Sequence, residues 1–292
     1  MKLTPKQSKK VGTVLWYVVS IILAIIMLVP FVWTVCSSFK PNNEIFANAL
    51  SLWSDTPTLE HYENVFRQMP ILKYTINSFI VAIGLVATNL IFGSLAGYSF
   101  ARLQFRGRRV LFGILLSAMM IPSIVTMIPN FLIIRGFPLM GGNNIFGQGG
   151  TGMLNSLIAL ILPGAVGAYA VFVMKQCFES LPGDMAEAAR IDGCSEFRIF
   201  WQLYLPLTKS TLSTLGFMTF ISGWNAYLGP IIYNNDQNYY TLQQGMAAFS
   251  SATNVQYGSI FAGSVLSTVP VIILFLILQK NFQKGIAFSG GK

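Results

Sequence analysis

Residues 11–39, VGTVLWYVVSIILAIIMLVPFVWTVCSSF, contain no Asp, Glu, Lys, Arg or His. A helix crosses the hydrocarbon core of a bilayer in about 20 residues, so this run is long enough to span one. Lys2, Lys6, Lys9 and Lys10 precede it, and Ala47–Asn48–Ala49 follows, which together outline a cleaved leader. The apolar part of a leader is typically about 7–15 residues, and this stretch is much longer. It reads as a retained helix that anchors the chain.

Five further apolar segments follow the first, giving helices at about residues 13–35, 74–100, 110–134, 154–174, 212–233 and 262–278. Polar stretches separate them: 40–73, the basic run 102–109, the Gly-rich 141–152, the charged segment 175–209, and a loop whose only charge is Asp236. Of the 292 residues, 53% are hydrophobic and only 10% are charged, whereas a soluble domain usually carries about 25% charged residues. The expected fold is all-α and polytopic, with about six transmembrane helices spread over residues 13–278 and short tails at 1–12 and 279–292.

Orientation follows from Lys and Arg in short loops. The two tails, the 102–109 loop and the 175–209 loop hold fifteen basic residues, and the opposite side holds only Lys40, Arg67, Lys73 and Arg135. Both termini are therefore expected in the cytoplasm of a plasma (inner) membrane protein. The formal net charge of +9 is mostly this topology signal. The basic residues flank apolar helices and form no patch, which argues against nucleic acid as a partner.

Catalytic and metal chemistry find little footing. Cys36, Cys177 and Cys194 are scattered without CxxC spacing, and the single histidine, His61, falls in what reads as a polar loop with no second ligand. No HExxH, P-loop or GxSxG pattern occurs. Proton and ion pathways usually place ionisable groups inside the membrane, and the apolar segments here are almost free of them. They do contain Pro30, Pro122, Pro129, Pro163 and Pro270, and the small-residue spacing Gly93–Gly97. Close helix packing with local kinks accounts for these; a kinked translocation path is the alternative, for which Trp224 and Asn225 are the best polar–aromatic pair.

Segment 175–209 differs from an ordinary short loop. Pro182 and Asp184 suit the first turn of a helix, and Gly193 suits its C-terminal end, where a left-handed residue is often needed. A second amphipathic piece, about 195–204, leads back to the membrane at Pro206. The expected result is a helix–turn–helix lying under the bilayer, whose bland reading is an interfacial anchor.

The order of residues in that segment resembles the EAA motif of binding-protein-dependent ABC importer permeases. It reads Glu187–Ala188–Ala189, then Gly193, then Leu205–Pro206. Asp192 before the glycine resembles the sugar-importer branch, the maltose-type inner-membrane permeases. Asn77–Ser78 and Ala96–Gly97–Tyr98 through Ala101–Arg102 are similar to the family's second membrane helix, and Pro122 to a Pro of the next. Trp224–Asn225 with Tyr227 and Pro230 is similar to the Trp-Asn signature, and Lys284–Gly285–Ile286–Ala287 with Gly290–Gly291–Lys292 to the closing residues. Ser210 departs from a common Pro and Ala226 from a frequent acid.

The resemblance implies a type I ABC importer permease architecture with a cytoplasmic coupling helix, and no catalysis in this chain. It implies as partners a second homologous permease, a dimer of ATPase subunits that bind ATP and Mg, and an extracytoplasmic solute-binding protein. Glu187, Ala188, Ala189, Asp192, Gly193, Leu205 and Pro206 would couple to the ATPase, with Glu187 making the charged contact and Ala188, Ala189 and Gly193 the close fit. Trp224, Asn225 and Tyr227 would border the path. The 234–260 loop would face the binding protein, its Tyr239, Tyr240 and Tyr257 suited either to sugar stacking or to the aromatic belt of a membrane interface. The implied cargo is a sugar or oligosaccharide; a non-sugar solute such as glycerol phosphate, a channel and a secondary transporter are the rivals.

Overall fold

The computed structural model describes residues 5–47, 51–250 and 255–289. Lys2, Asn48, Ala49 and Gly290–Gly291–Lys292 lie outside the described residues. The described chain is helical and contains no strand, only an isolated bridge between Ser250 and Val255. In order, the helices are α1 (Pro5–Ser37), α2 (Asn42–Ala47), α3 (Glu60–Gln68), α4 (Ile71–Arg102), α5 (Arg108–Met119), α6 (Ser123–Arg135), α7 (Ile158–Ile161) and α8 (Ala168–Ser180). There follow α9 (Asp184–Ile191), α10 (Glu196–Arg198), α11 (Leu205–Leu207), α12 (Lys209–Trp224), α13 (Leu228–Tyr233), α14 (Leu242–Met246) and α15 (Tyr257–Ser289).

Three helices are individually long and apolar enough to cross a membrane, over Gly12–Ser37, Ile71–Arg102 and Tyr257–Asn281. Two bent pairs bring the number to five if each counts as one span: α5 with α6, turning by 104°, and Ile158–Gly164 with α8, turning by 46°. The segments expected at 110–134 and 154–174 are thus broken rather than straight. Pro122, at the first break, lacks an N–H and disfavours helical backbone in the residue before it. The segment expected at 212–233 also breaks, α12 ending at Trp224 and α13 resuming at Leu228.

Helix also continues through most of the residues expected to be tails, because hydropathy marks where a span ends and not where a helix does. No proline or glycine stops the chain between Lys6 and Val11, and α15 runs on to Ser289.

The chain divides into two compact units. The first comprises residues 1–70 and 246–269. Its α1 buries none of its apolar window within the chain, so its side chains need a non-aqueous cover. Its core contains Ile45, Val65 and His61, each at most 1% exposed. His61 is therefore not in a polar loop: it lies in α3 and donates from Nε2 to the Lys40 carbonyl at 2.8 Å. Its partner is backbone, the ordinary satisfaction of a buried imidazole.

The second unit, residues 71–245 and 270–292, is built on α4. Helices α8 and α12 pack along it because glycines admit close approach. A Cβ at Gly97 would lie 2.7 Å from that of Met174, and one at Gly93 2.9 Å from that of Ala170. Asn89 reaches the backbone freed at the 46° bend. It donates to Gly164 O at 2.7 Å and to Leu85 O at 2.9 Å, and accepts from Gly167 N at 2.9 Å. In an apolar medium such groups must be paired within the protein, so one carboxamide makes the break tolerable. Asn77 does similar work at the other end of α4, donating to Asn238 O at 3.0 Å and Tyr240 O at 2.9 Å, while Ser78 accepts from Leu242 N at 2.8 Å.

Candidate functional site

Helix α9 begins one residue after Gly183, with Asp184 and Glu187 in its first turn and Arg190 in its last. These signs complement the helix dipole at both ends. Its C-terminus closes on Gly193, whose φ is +76°. Gly193 N donates to Arg190 O at 3.0 Å and Cys194 N to Ala189 O at 2.9 Å. This pair of bonds is a Schellman cap, which requires a left-handed residue where Gly193 stands. Ser195 opens α10, its hydroxyl accepting from Arg198 N. The chain then runs through a π-helical turn, Ile199–Tyr204, and α11 back to α12.

Periodicity divides α9 into two faces. Ala186 is 2% exposed and joins Ile199, Phe200 and Tyr204 against Tyr98 of α4, Met174 and Phe178 of α8, and Leu215 of α12. Tyr98 is the hub, its ring centroid 5.3 Å from Phe200 and 5.7 Å from both Phe178 and Tyr204. The opposite face is open: Glu187, Ala188 and Asp192 are exposed, and Ile191 is 87% exposed. Nearby, Phe197 and Trp201 lie stacked and exposed, 6.4 Å apart. Exposed apolar side chains on a charged turn mark an interaction surface.

Polar contacts fasten the buried face. Arg190 Nε donates to Glu196 Oε1 at 2.6 Å, and Tyr98 OH donates to Glu196 Oε2 at 2.9 Å. Glu196 thus joins both sides of the Gly193 turn to α4. The bond from Arg190 holds the Glu196 carboxyl below its ordinary value; partial burial opposes this, and the Tyr98 hydroxyl adds to the lowering. Arg190 is correspondingly raised, first through the same bond. Arg102, at the end of α4, donates to Phe178 O at 2.6 Å and to Leu181 O, and lies 4.9 Å over the Tyr204 ring. Tyr204 OH donates to Pro182 O at 3.1 Å. The segment is therefore tied to the membrane helices by rings and hydrogen bonds together.

The expected coupling residues separate into distinct positions. Glu187, Ala188 and Asp192 are on the open face, Ala189 is half-buried towards the core, and Gly193 forms the turn. Leu205 packs against the core and Pro206 is exposed in α11. The path residues divide as well. Trp224 is 1% exposed, stacked on Phe220 at 5.7 Å and edge-on to Phe79 at 4.8 Å. Asn225 and Tyr227 are exposed at the break between α12 and α13, where Gln243 Nε2 donates to Asn225 Oδ1 at 3.4 Å. Tyr240 packs on Tyr74 at 5.8 Å, whereas Tyr257 is 44% exposed.

Sequence reasoning missed Glu196 and Arg190 as a pair, Tyr98 as their anchor, and Arg102 as the clasp on Phe178, Leu181 and Tyr204. The available signal was an acid and a base placed on either side of Gly193, at a spacing that only a reversal brings together. Among the described residues no three His, Cys, Asp or Glu side chains cluster as a metal site.

Known proteins resemble this chain in sequence and in fold. The family described as "Binding-protein-dependent transport system inner membrane component" matches residues 89–288, which include the whole segment from Tyr98 to Pro206. The diacetylchitobiose uptake system permease protein NgcG of Streptomyces coelicolor is 31% identical over 269 residues, covering 91% of this chain and 85% of its own. The arabinooligosaccharides transport system permease protein AraQ of Bacillus subtilis is 31% identical over 273 residues, covering 92% of each. The lactose transport system permease protein LacG of Rhizobium radiobacter is 26% identical over 281 residues, covering 96% of this chain and 97% of its own. A chain from the crystal structure of a bacterial ABC transporter involved in alginate import superposes with a TM-score of 0.74 at 24% identity, covering 97% of this chain and 100% of that one. The family match and the full-length relatives agree with the helical fold, and the chain belongs to the inner membrane component family of binding-protein-dependent transport systems, the permeases of ABC importers.

Proposed function

We propose that this chain is the permease subunit of an ATP-driven importer of a sugar or oligosaccharide, with α9 as the helix that an ATPase subunit grips. The observation that carries the reading is the division of α9. Its Ala186 face is locked into α4, α8 and α12, while Glu187, Ala188, Ile191 and Asp192 are presented outward. A partner pushing on the open face would move the membrane helices through the buried one. The chain itself does no chemistry: ATP and Mg²⁺ belong to a pair of ATPase subunits, and their closure is transmitted through Glu196, Tyr98 and Arg102.

A second homologous permease completes the path, with the break at Asn225–Tyr227 offering polar side chains to it. An extracytoplasmic binding protein delivers the cargo. Both termini and the 175–209 segment lie in the cytoplasm, in keeping with the fifteen basic residues on that side. A sugar cargo is supported by the relatives named for diacetylchitobiose, arabinooligosaccharides and lactose.

The test is purification of the tagged chain from its native membranes in mild detergent, with mass spectrometry of what accompanies it. An ATPase and a second permease are expected, and Glu187→Ala should release the ATPase. Proteoliposomes of that assembly with its binding protein should take up a radiolabelled oligosaccharide only with ATP. An isolated chain without ATPase, or uptake independent of ATP, overturns the assignment; ATP-driven uptake confined to a non-sugar solute overturns the cargo.

A further inference from the structure

The first compact unit contains a cavity that coupling does not use. It has a volume of about 480 Å³, within the range of about 300–1,000 Å³ typical of small-ligand sites. Asn42 and Phe46 of α2, Asn64 and Gln68 of α3, and Gln256 and Tyr257 line it. In the topology proposed above, segment 40–73 and the chain before α15 face the extracytoplasmic side.

Its chemistry is selective. Phe46 and Tyr257 meet edge to face, 4.8 Å apart, yet remain 54% and 44% exposed. They present ring surface to the opening rather than filling a core. Four carboxamides surround them, each offering a donor and an acceptor side by side. Gln68 Nε2 donates to Gln256 Oε1 at 3.2 Å, and Ser259 Oγ donates to the same oxygen at 3.4 Å. These bonds fix the Gln256 side chain and leave its NH₂ free among the described residues. The carboxamides of Asn42 and Asn64 make no side-chain hydrogen bond there either. No charged residue lines the cavity among the described residues, so it offers no counter-ion to an acidic ligand. Aromatic faces take the C–H faces of a pyranose or furanose ring, and paired donors and acceptors take vicinal hydroxyls.

We propose that this cavity is a carbohydrate subsite for a neutral sugar residue, engaging one end of the oligosaccharide on the outer face. The proposal rests on the sugar-importer reading and on its topology, and it names what that reading leaves open: the cargo carries no carboxylate at this end. Phe46 and Tyr257 are the stacking platform, and Asn42, Asn64, Gln68 and Gln256 orient the hydroxyls.

The experiment is saturation-transfer NMR on the full-length chain in lipid nanodiscs, without binding protein, using N,N′-diacetylchitobiose, lactose and arabinotriose as neutral probes and trigalacturonate as the acidic one. At least one neutral probe should bind, and Tyr257→Ala should weaken it tenfold or more. Asn64→Leu, which removes hydrogen bonding while keeping bulk, should weaken it several-fold. Circular dichroism checks that both variants keep the wild-type helix content. Absence of neutral binding, equal binding of trigalacturonate, or binding unchanged in both variants overturns the subsite. ATP-driven sugar uptake by the assembly alongside any of those results leaves the importer reading standing and removes the subsite alone. Uptake restricted to a non-sugar solute removes the importer's sugar reading itself.

Discussion

Replacing Gly193 separates two accounts of why a glycine stands there. If it provides a close fit to a partner, any added side chain harms in proportion to its size. The structure gives a different reason: φ is +76°, and beyond its immediate chain neighbours a Cβ would find no heavy atom within 4 Å. The cost of Ala is then conformational, about 1–2 kcal/mol for an L-residue in left-handed backbone, or a factor of about 5–30 in the equilibrium of the turn. Asn is larger but enters that region more readily and should cost less than Ala; β-branched Val should cost most. The assay is hydrogen exchange at the amides of Gly193 and Cys194, whose bonds to Arg190 O and Ala189 O close the cap. In nanodiscs, Gly193→Ala should speed exchange there about 5–30-fold, with Gly193→Asn between it and wild type. ATP-driven transport by the assembled complex should fall in the order Asn, Ala, Val, while the chain still inserts and purifies. Exchange and transport that worsen with side-chain volume, Asn below Ala, would refute the backbone argument in favour of a steric fit.

Other outcomes follow from the same geometry. Because the folded Glu196 carboxyl lies below its usual value, its contribution is present above the ordinary carboxylate range and lost as pH falls through the lowered value. A fluorophore on Ala188→Cys should therefore report a docked α9 at neutral pH and a mobile one only in acid, and Tyr98→Phe should move that release to higher pH. Gly97→Leu should destabilise by at least about 1–3 kcal/mol through overpacking, since even a Cβ there would lie 2.7 Å from Met174 Cβ; thermal denaturation in detergent reads it. Trp224→Ala should cost about 3–5 kcal/mol, whereas Asn225→Ala should leave the melting temperature within about a degree or two, as exposed substitutions usually do.

The helical membrane fold was legible because hydrophobic runs are a length signal, and runs such as residues 11–39 and 74–100 exceed what a soluble core needs. The breaks were less legible. Pro122 and Pro163 each advertise a kink, but the 104° and 46° turns depend on what receives the freed backbone. That receiver is Asn89 in the second case, 75 residues from Gly164 in sequence. The α9 segment showed its ends plainly, through Pro182, Asp184 and Gly193. Its inner face did not show, because Tyr98, Arg102 and Glu196 converge only when α4 and the turn come together. Trp224 gave no sign of its surroundings: an indole beside a carboxamide suggests a polar path, and the sequence does not show its burial against Phe79 and Phe220. His61 misled in the same way, since a polar neighbourhood in sequence gave no sign of the Lys40 carbonyl that satisfies it.

The claim that α9 is the coupling surface is tested most directly by placing single cysteines on its open face, Ala188→Cys and Ile191→Cys, and adding a short bifunctional cross-linker to the assembled complex. The account predicts that both join the ATPase subunit and that Leu132→Cys, on the exposed side of α6, does not. Cross-links absent from α9, or equally frequent from α6, would contradict it.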